Sequence, residues 1–269
     1  MISVRPNAAC TRSGVSRLAL AAALAAMLGA CAQQPRPDVT GSIPPAQMSD
    51  AQWRKQAESL ADRYQKEPGN ASVAIAYARA LRETGQRSQA AAVLQQTSIR
   101  NPKDQTVLGA YGRALADAGR FSEAFDILGK AHTPDQPDWR ILNAQGAVLD
   151  QLGRHAEAQR YYQTALGIEP NDPSVLSNLG LSYALSKKLD RAEETLRKAA
   201  ADPRAEPKVR QNLGVVLALR SKFEEAERVT IGVLPPDQAR SNVAYVRELM
   251  REPAAPTKSS KPQKTASTG

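Results

Sequence analysis

The chain has 269 residues, of which 42% are hydrophobic but only 4% aromatic, and it carries a formal net charge of +9. Alanine and leucine dominate the apolar set and runs of Val, Ile, Thr and aromatics are missing, which excludes a mainly β fold and predicts an all-α chain. The charge does not amount to a nucleic-acid footprint: Arg5, Arg12 and Arg17 lie in a leader and Lys258, Lys261 and Lys264 in a polar tail, leaving the part between nearly balanced.

Residues 1–30 read as a signal peptide. Three arginines without an acid precede the apolar run from Leu18 to Leu28, which is too short to span a bilayer. The only cysteines, Cys10 and Cys31, fall ahead of any folded segment, so no disulfide framework or CxxC site can be built. Leu28-Gly29-Ala30-Cys31 resembles the lipobox of bacterial lipoproteins, an ordinary signal peptide cut elsewhere being the alternative. That resemblance implies diacylglycerol on the Cys31 thiol, cleavage just before it and, with Ala32 following, an outer-membrane address facing the periplasm. Residues 31–48, from the lipidated cysteine through four prolines, form an extended tether.

Ser49-Asp50-Ala51-Gln52 predicts a helix start, a hydroxyl cap with glutamine three residues on, so 49–70 is a capping helix or a degenerate leading repeat carrying Trp53, Ala57, Leu60 and Tyr64. From Ala71 the chain repeats itself every 34 residues, in windows 71–104, 105–138, 139–172, 173–206 and 207–240. The eighth position is Ala78, Gly112, Gly146, Gly180 and Gly214, and the twentieth is alanine throughout: Ala90, Ala124, Ala158, Ala192 and Ala226. Such spacing predicts helix-turn-helix units whose two backbones approach at the small residues. With Gly85, Gly119 and Gly153 at the turns and closing prolines Pro102 and Pro170, the pattern resembles the tetratricopeptide repeat (TPR), which implies a solenoid of about five helix pairs with capping helices at its ends. Lys187 and Ser221 depart from the turn glycine, and Gln145 takes an apolar position. A last capping helix is expected over 238–250, and 251–269 should be a disordered basic tail.

The resemblance implies a concave groove lined by positions two, five, six, nine, twelve and thirteen of each first helix. Read out, these give Arg79, Arg82, Glu83, Arg113 and Asp117 early, Arg140, Asn143 and Asp150 in the middle, and Asn178, Leu181, Leu185, Asn212, Val215 and Leu219 late. A charged end would meet an apolar, helix-receiving strip. Asn178 and Asn212 resemble the asparagines with which TPR grooves clamp a partner's backbone amide; serving only the packing of the array is the alternative. His132 and His155 have no partners at metal-ligand spacing, and neither a nucleophile elbow nor a phosphate loop occurs, so the chain is read as no enzyme, with no cofactor beyond the lipid on Cys31 and no metal.

Residues 211–250 carry features that TPR geometry does not demand, Leu234-Pro235-Pro236 and Asn242-Val243-Ala244-Tyr245 with the closing Leu249-Met250. They resemble the C-terminal end of the TadD family, TPR lipoproteins of tight-adherence (Flp) pilus assembly. That implies a scaffold whose partners are the secretin or other pilus-secretion subunits and not nucleic acid. A type IV pilus pilotin or an adaptor of envelope or peptidoglycan enzymes stays open beside it.

Overall fold

Ser49 accepts a hydrogen bond from the amide of Gln52, whose side chain accepts one from the Ser49 amide, and this reciprocal box opens the first helix of a computed structural model that describes residues 48–251. The expected signal peptide, Cys31, nearly all of the tether and the expected disordered tail lie outside the described residues. Within them, twelve helices follow in order: α1 (Asp50–Lys66), α2 (Ala71–Glu83), α3 (Arg87–Arg100), α4 (Gln105–Asp117), α5 (Phe121–Gly129), α6 (Trp139–Gln151), α7 (His155–Ile168), α8 (Pro173–Leu185), α9 (Leu189–Ala200), α10 (Pro207–Leu219), α11 (Phe223–Ile231) and α12 (Pro236–Arg251). Each 34-residue window holds one pair, from α2–α3 to α10–α11. Sequential helices from α1 to α11 pack on one another, and successive first helices also touch. This is the all-α solenoid that the periodicity predicts.

The first helix of each pair starts where a short polar side chain can take the free amides. Asn70, Asp104, Asp138 and Asp172, themselves 34 residues apart, accept from amides two or three residues on. Glu206 stands at the fifth such position without a side-chain bond, and Pro207 opens α10 instead. Every pair then turns in the same way. Gln86, Arg120, Arg154, Lys188 and Lys222 each donate a backbone amide to a carbonyl five residues back, at 2.7–2.9 Å. The residue before each donor is left-handed: Gly85, Gly119 and Gly153 at φ 79°, 79° and 75°, but also Lys187 at 63° and Ser221 at 61°. The turn is therefore retained without its glycine, because packing of the helices on either side over-determines the backbone.

Between the paired helices, a Cβ on Gly112, Gly146, Gly180 or Gly214 would come within 2.4–2.6 Å of Leu128, Tyr162, Leu196 or Thr230. The eighth position thus faces the side chain at the twenty-fourth most closely, and at Gly214 the backbone oxygen of Ala226, the twentieth residue, also comes within 3.4 Å. The alanines at the twentieth position are buried, at 0% exposure in all five windows. Leu81, Leu94, Leu115, Leu128, Leu149, Tyr162, Leu196 and Leu217 fill the interior beside this contact.

Two second helices, α5 and α11, run only nine residues. After α5 the chain bends through an isolated bridge between Thr133 and Gln136, and His132 Nε2 meets the side-chain oxygen of Gln145 at 3.2 Å. That pairing explains why a glutamine at 3% exposure occupies a position that is otherwise apolar. At the ends, Tyr64 of α1 lies 5.8 Å from Tyr77 of α2, while α12 buries Ala239, Val243 and Val246 and sets Arg247 over the Phe223 ring at 4.2 Å. No described helix is long and apolar enough to cross a membrane.

Candidate functional site

The residues expected to line the groove sit on successive first helices, and the structure links several of them directly. Arg82 of α2 pairs with Asp117 of α4. Asn178 of α8 donates to Asn143 Oδ1 of α6 at 2.9 Å, and Asn143 donates to Ser174 at 3.4 Å. Asn212 of α10 donates to Ser177 of α8 at 3.0 Å and is only 5% exposed. The expectation that Asn212 lines an open groove is thereby corrected: a partner's main chain cannot reach an amide enclosed between two helices. Asn178 is half-buried with one of its two amide hydrogens given to Asn143. Both amides join neighbouring repeats, which is the alternative left open for them.

The charged end is positive. Arg79 and Arg140 are exposed, Arg79 lying 5.5 Å from the Trp53 ring and Arg140 lying 4.4 Å from the Trp139 ring. Arg113 is half-buried; burial pushes its guanidinium below the usual arginine range and Arg82 adds to this, while Asp138 and Asp117 oppose it. Since Asp117 is taken by Arg82, Arg79, Arg113 and Arg140 give this stretch an excess of cations. Leu181, Leu185, Val215 and Leu219 are all half-buried, one helix pair after the other, and form an incompletely covered apolar strip.

Asp150, expected in the middle of the groove, lies instead in a buried polar knot between the third and fourth repeats. It accepts from His155 Nδ1 at 2.8 Å, Ser182 Oγ at 2.8 Å and Tyr162 OH at 3.0 Å, while burial holds its carboxyl above the usual aspartate range. Ser, His and Asp meet here, yet Ser182 gives its proton to the carboxylate and not to the imidazole, and it is 0% exposed. The pairing of nucleophile with base that acyl transfer requires is not made. His155 serves the junction.

A second set of contacts was not foreseen. The twenty-first residue of one window meets the sixteenth of the next: Arg154 lies over the Phe125 ring at 5.6 Å, Lys188 donates to Gln159 at 3.1 Å, and Lys222 donates to Glu193 at 2.8 Å. Glu193 is 5% exposed and also receives Arg197 and Arg220. Burial pushes its carboxyl up, but hydrogen bonds from Lys222 and Arg197 and the charges of Arg197 and Arg220 outweigh this and bring it down to about 2. The signal was present in the sequence as cations at Arg120, Arg154, Lys188 and Lys222, 34 residues apart.

The tetratricopeptide-repeat family model matches residues 54–114 and 151–213. A search of the curated proteins finds no match. Among solved structures, a tetratricopeptide repeat protein from Parabacteroides merdae aligns with TM-score 0.64 at 14% identity, over 74% of this chain and 78% of that one. PilW, described as a widely conserved type IV pilus biogenesis factor, aligns with TM-score 0.62 at 17% identity, over 72% of this chain and 91% of its own. A chain of the APC/C hetero-tetramer Cut9–Hcn1 aligns with TM-score 0.61 at 16% identity, over 74% of this chain, which spans only 40% of that chain's length. At these identities the likeness is one of fold.

Proposed function

We propose, from the premise that this chain is a tetratricopeptide-repeat solenoid, that it is a non-catalytic scaffold holding a segment of a partner protein along its first helices. The observation that carries this is the split lining of that face: cations Arg79, Arg113 and Arg140 toward one end, and Leu181, Leu185, Val215 and Leu219, all half-buried, toward the other. A segment acidic at one end and amphipathic at the other matches both parts. The likeness of residues 211–250 to the TadD family supports a place in tight-adherence pilus assembly, with the secretin or a neighbouring secretion subunit as partner. The lipobox supports a lipid on Cys31 that anchors the chain in the outer membrane on its periplasmic side.

Leu181→Asp combined with Leu219→Asp tests the reading. The helical signal in circular dichroism is expected to persist, because neither side chain is fully buried, while the secretin no longer co-purifies and surface pili are lost. Unchanged co-purification and piliation in a folded double variant would overturn it. In the same strains, Cys31→Ala should move the chain from the membrane to the soluble fraction.

A further inference from the structure

Three features coincide where the fourth repeat meets the fifth. At the fourth window position, Ala74 of the first window is fully buried and Leu108, Leu142 and Leu176 of the next three are buried at 5–7% exposure, but the fifth window has Arg210, which is exposed. Leu166 of α7 packs with Leu176 in one hydrophobic cluster; the same position is Ser98 and His132 in the first two windows and the small Ala200 in the fourth. Finally, α11 stops after nine residues, as α5 does, where α3, α7 and α9 run 12–14. An open depression of about 440 Å³ lies here between α9, α10 and α11, floored by Ala200, Leu213 and Val229 and flanked by Arg197, Arg210 and Arg228.

The charges around it are unequal. Arg197 is held by Glu193 and Glu225, while Arg210 and Arg228 make no ion pair among the described residues. Arg228 lies in the last turn of α11 and Arg197 in the last turn of α9, where each offsets the negative helix end, but a full charge on each exceeds the half charge of a helix terminus. A positive rim over an open, mainly apolar floor remains.

We propose that this depression receives a partner-protein segment in which an apolar side chain is flanked by carboxylates, the apolar group resting on Leu213 and Val229 and the carboxylates meeting Arg210 and Arg228. Guanidinium groups pair with carboxylates through two parallel hydrogen bonds, so the rim selects acids over neutral amides. The occupant is not this chain's own tail, since Lys258, Lys261 and Lys264 in residues 252–269 would meet like charge. Nor is it α12, whose Arg247 lies over Phe223 at the opposite end of α11. The site is distinct from the strip of Leu181 and Leu219 and can fail or stand independently of it.

Isothermal titration of the full chain with the blocked peptide Gly-Asp-Leu-Glu-Gly, against its Gly-Asn-Leu-Gln-Gly analogue, tests the proposal. The acidic peptide should bind at least about tenfold tighter than the amide peptide, and Arg228→Gln should remove that preference without altering the melting temperature. Arg210→Leu, which places here the leucine of the second, third and fourth windows, should abolish binding and raise the melting temperature by about 2–4 °C. The Leu181→Asp, Leu219→Asp variant should bind the peptide like wild type. Absence of binding, equal affinity for the two peptides, unchanged affinity in Arg228→Gln or Arg210→Leu, or loss of binding in the strip variant would each overturn the proposal. So would a chain ending at Arg251 that binds markedly tighter than the full chain, since the tail would then be the occupant.

Discussion

At Lys187 and Ser221 a side chain occupies a backbone conformation that glycine takes at the matching positions 85, 119 and 153. A left-handed non-glycine residue costs roughly 1–2 kcal/mol, offset in part by the lower entropy it has to lose on folding. Lys187→Gly and Ser221→Gly are each expected to stabilise the fold by about 0.5–1 kcal/mol, read as a rise in the urea midpoint with an unchanged slope. A fall in the midpoint would mean that Lys187 or Ser221 makes a contact outweighing its strain. The glycines at the eighth position carry the opposite sign: there the twenty-fourth side chain already fills the space that a Cβ would need.

Between helix pairs, the contact of the twenty-first with the sixteenth residue shows how one geometry accepts different chemistry. It is an aromatic face under Arg154, an amide under Lys188 and a carboxylate under Lys222. Each cation precedes the first residue of a second helix, where it opposes the helix dipole at about 0.3–1 kcal/mol, and the contact with the preceding repeat offsets that cost. Glu193 makes this junction pH-dependent. Its folded value of about 2 lies below its ordinary value of 4.5, so its stabilisation is fully present above pH 4.5 and is lost as pH falls from there toward 2. Allowing for screening at the exposed Arg197 and Lys222, about 1–3 kcal/mol is at stake. Glu193→Gln should therefore lower stability at neutral pH and flatten the acid limb of the stability curve between pH 4.5 and 2. An acid limb identical to wild type would show that other carboxylates govern it.

For the molecule as a whole, an array whose repeats touch mainly their neighbours has to cover its ends. A chain ending at Val233 would lose the buried Ala239, Val243 and Val246 and uncover the face beneath them. It is expected to melt several degrees lower and to self-associate in sedimentation, whereas an unchanged monomer with an unchanged melt would deny α12 a capping role. The all-α class, the 34-residue unit, the turn positions and the capping box at Ser49 were legible in the sequence, because each depends on contacts within about one repeat, where spacing along the chain dictates distance. The candidate site was legible only in part. Its residue types and their row along the first helices followed from the period, but the enclosure of Asn212, the pairing of Arg82 with Asp117 and the burial of Asp150 did not. The depression beside Arg210 and the Glu193 junction also escaped it, though their residues were in plain sequence view. All of these depend on how one repeat is placed against the next, and that placement sums many side-chain volumes from separate windows, a quantity that periodicity leaves undetermined and only the packed structure decides.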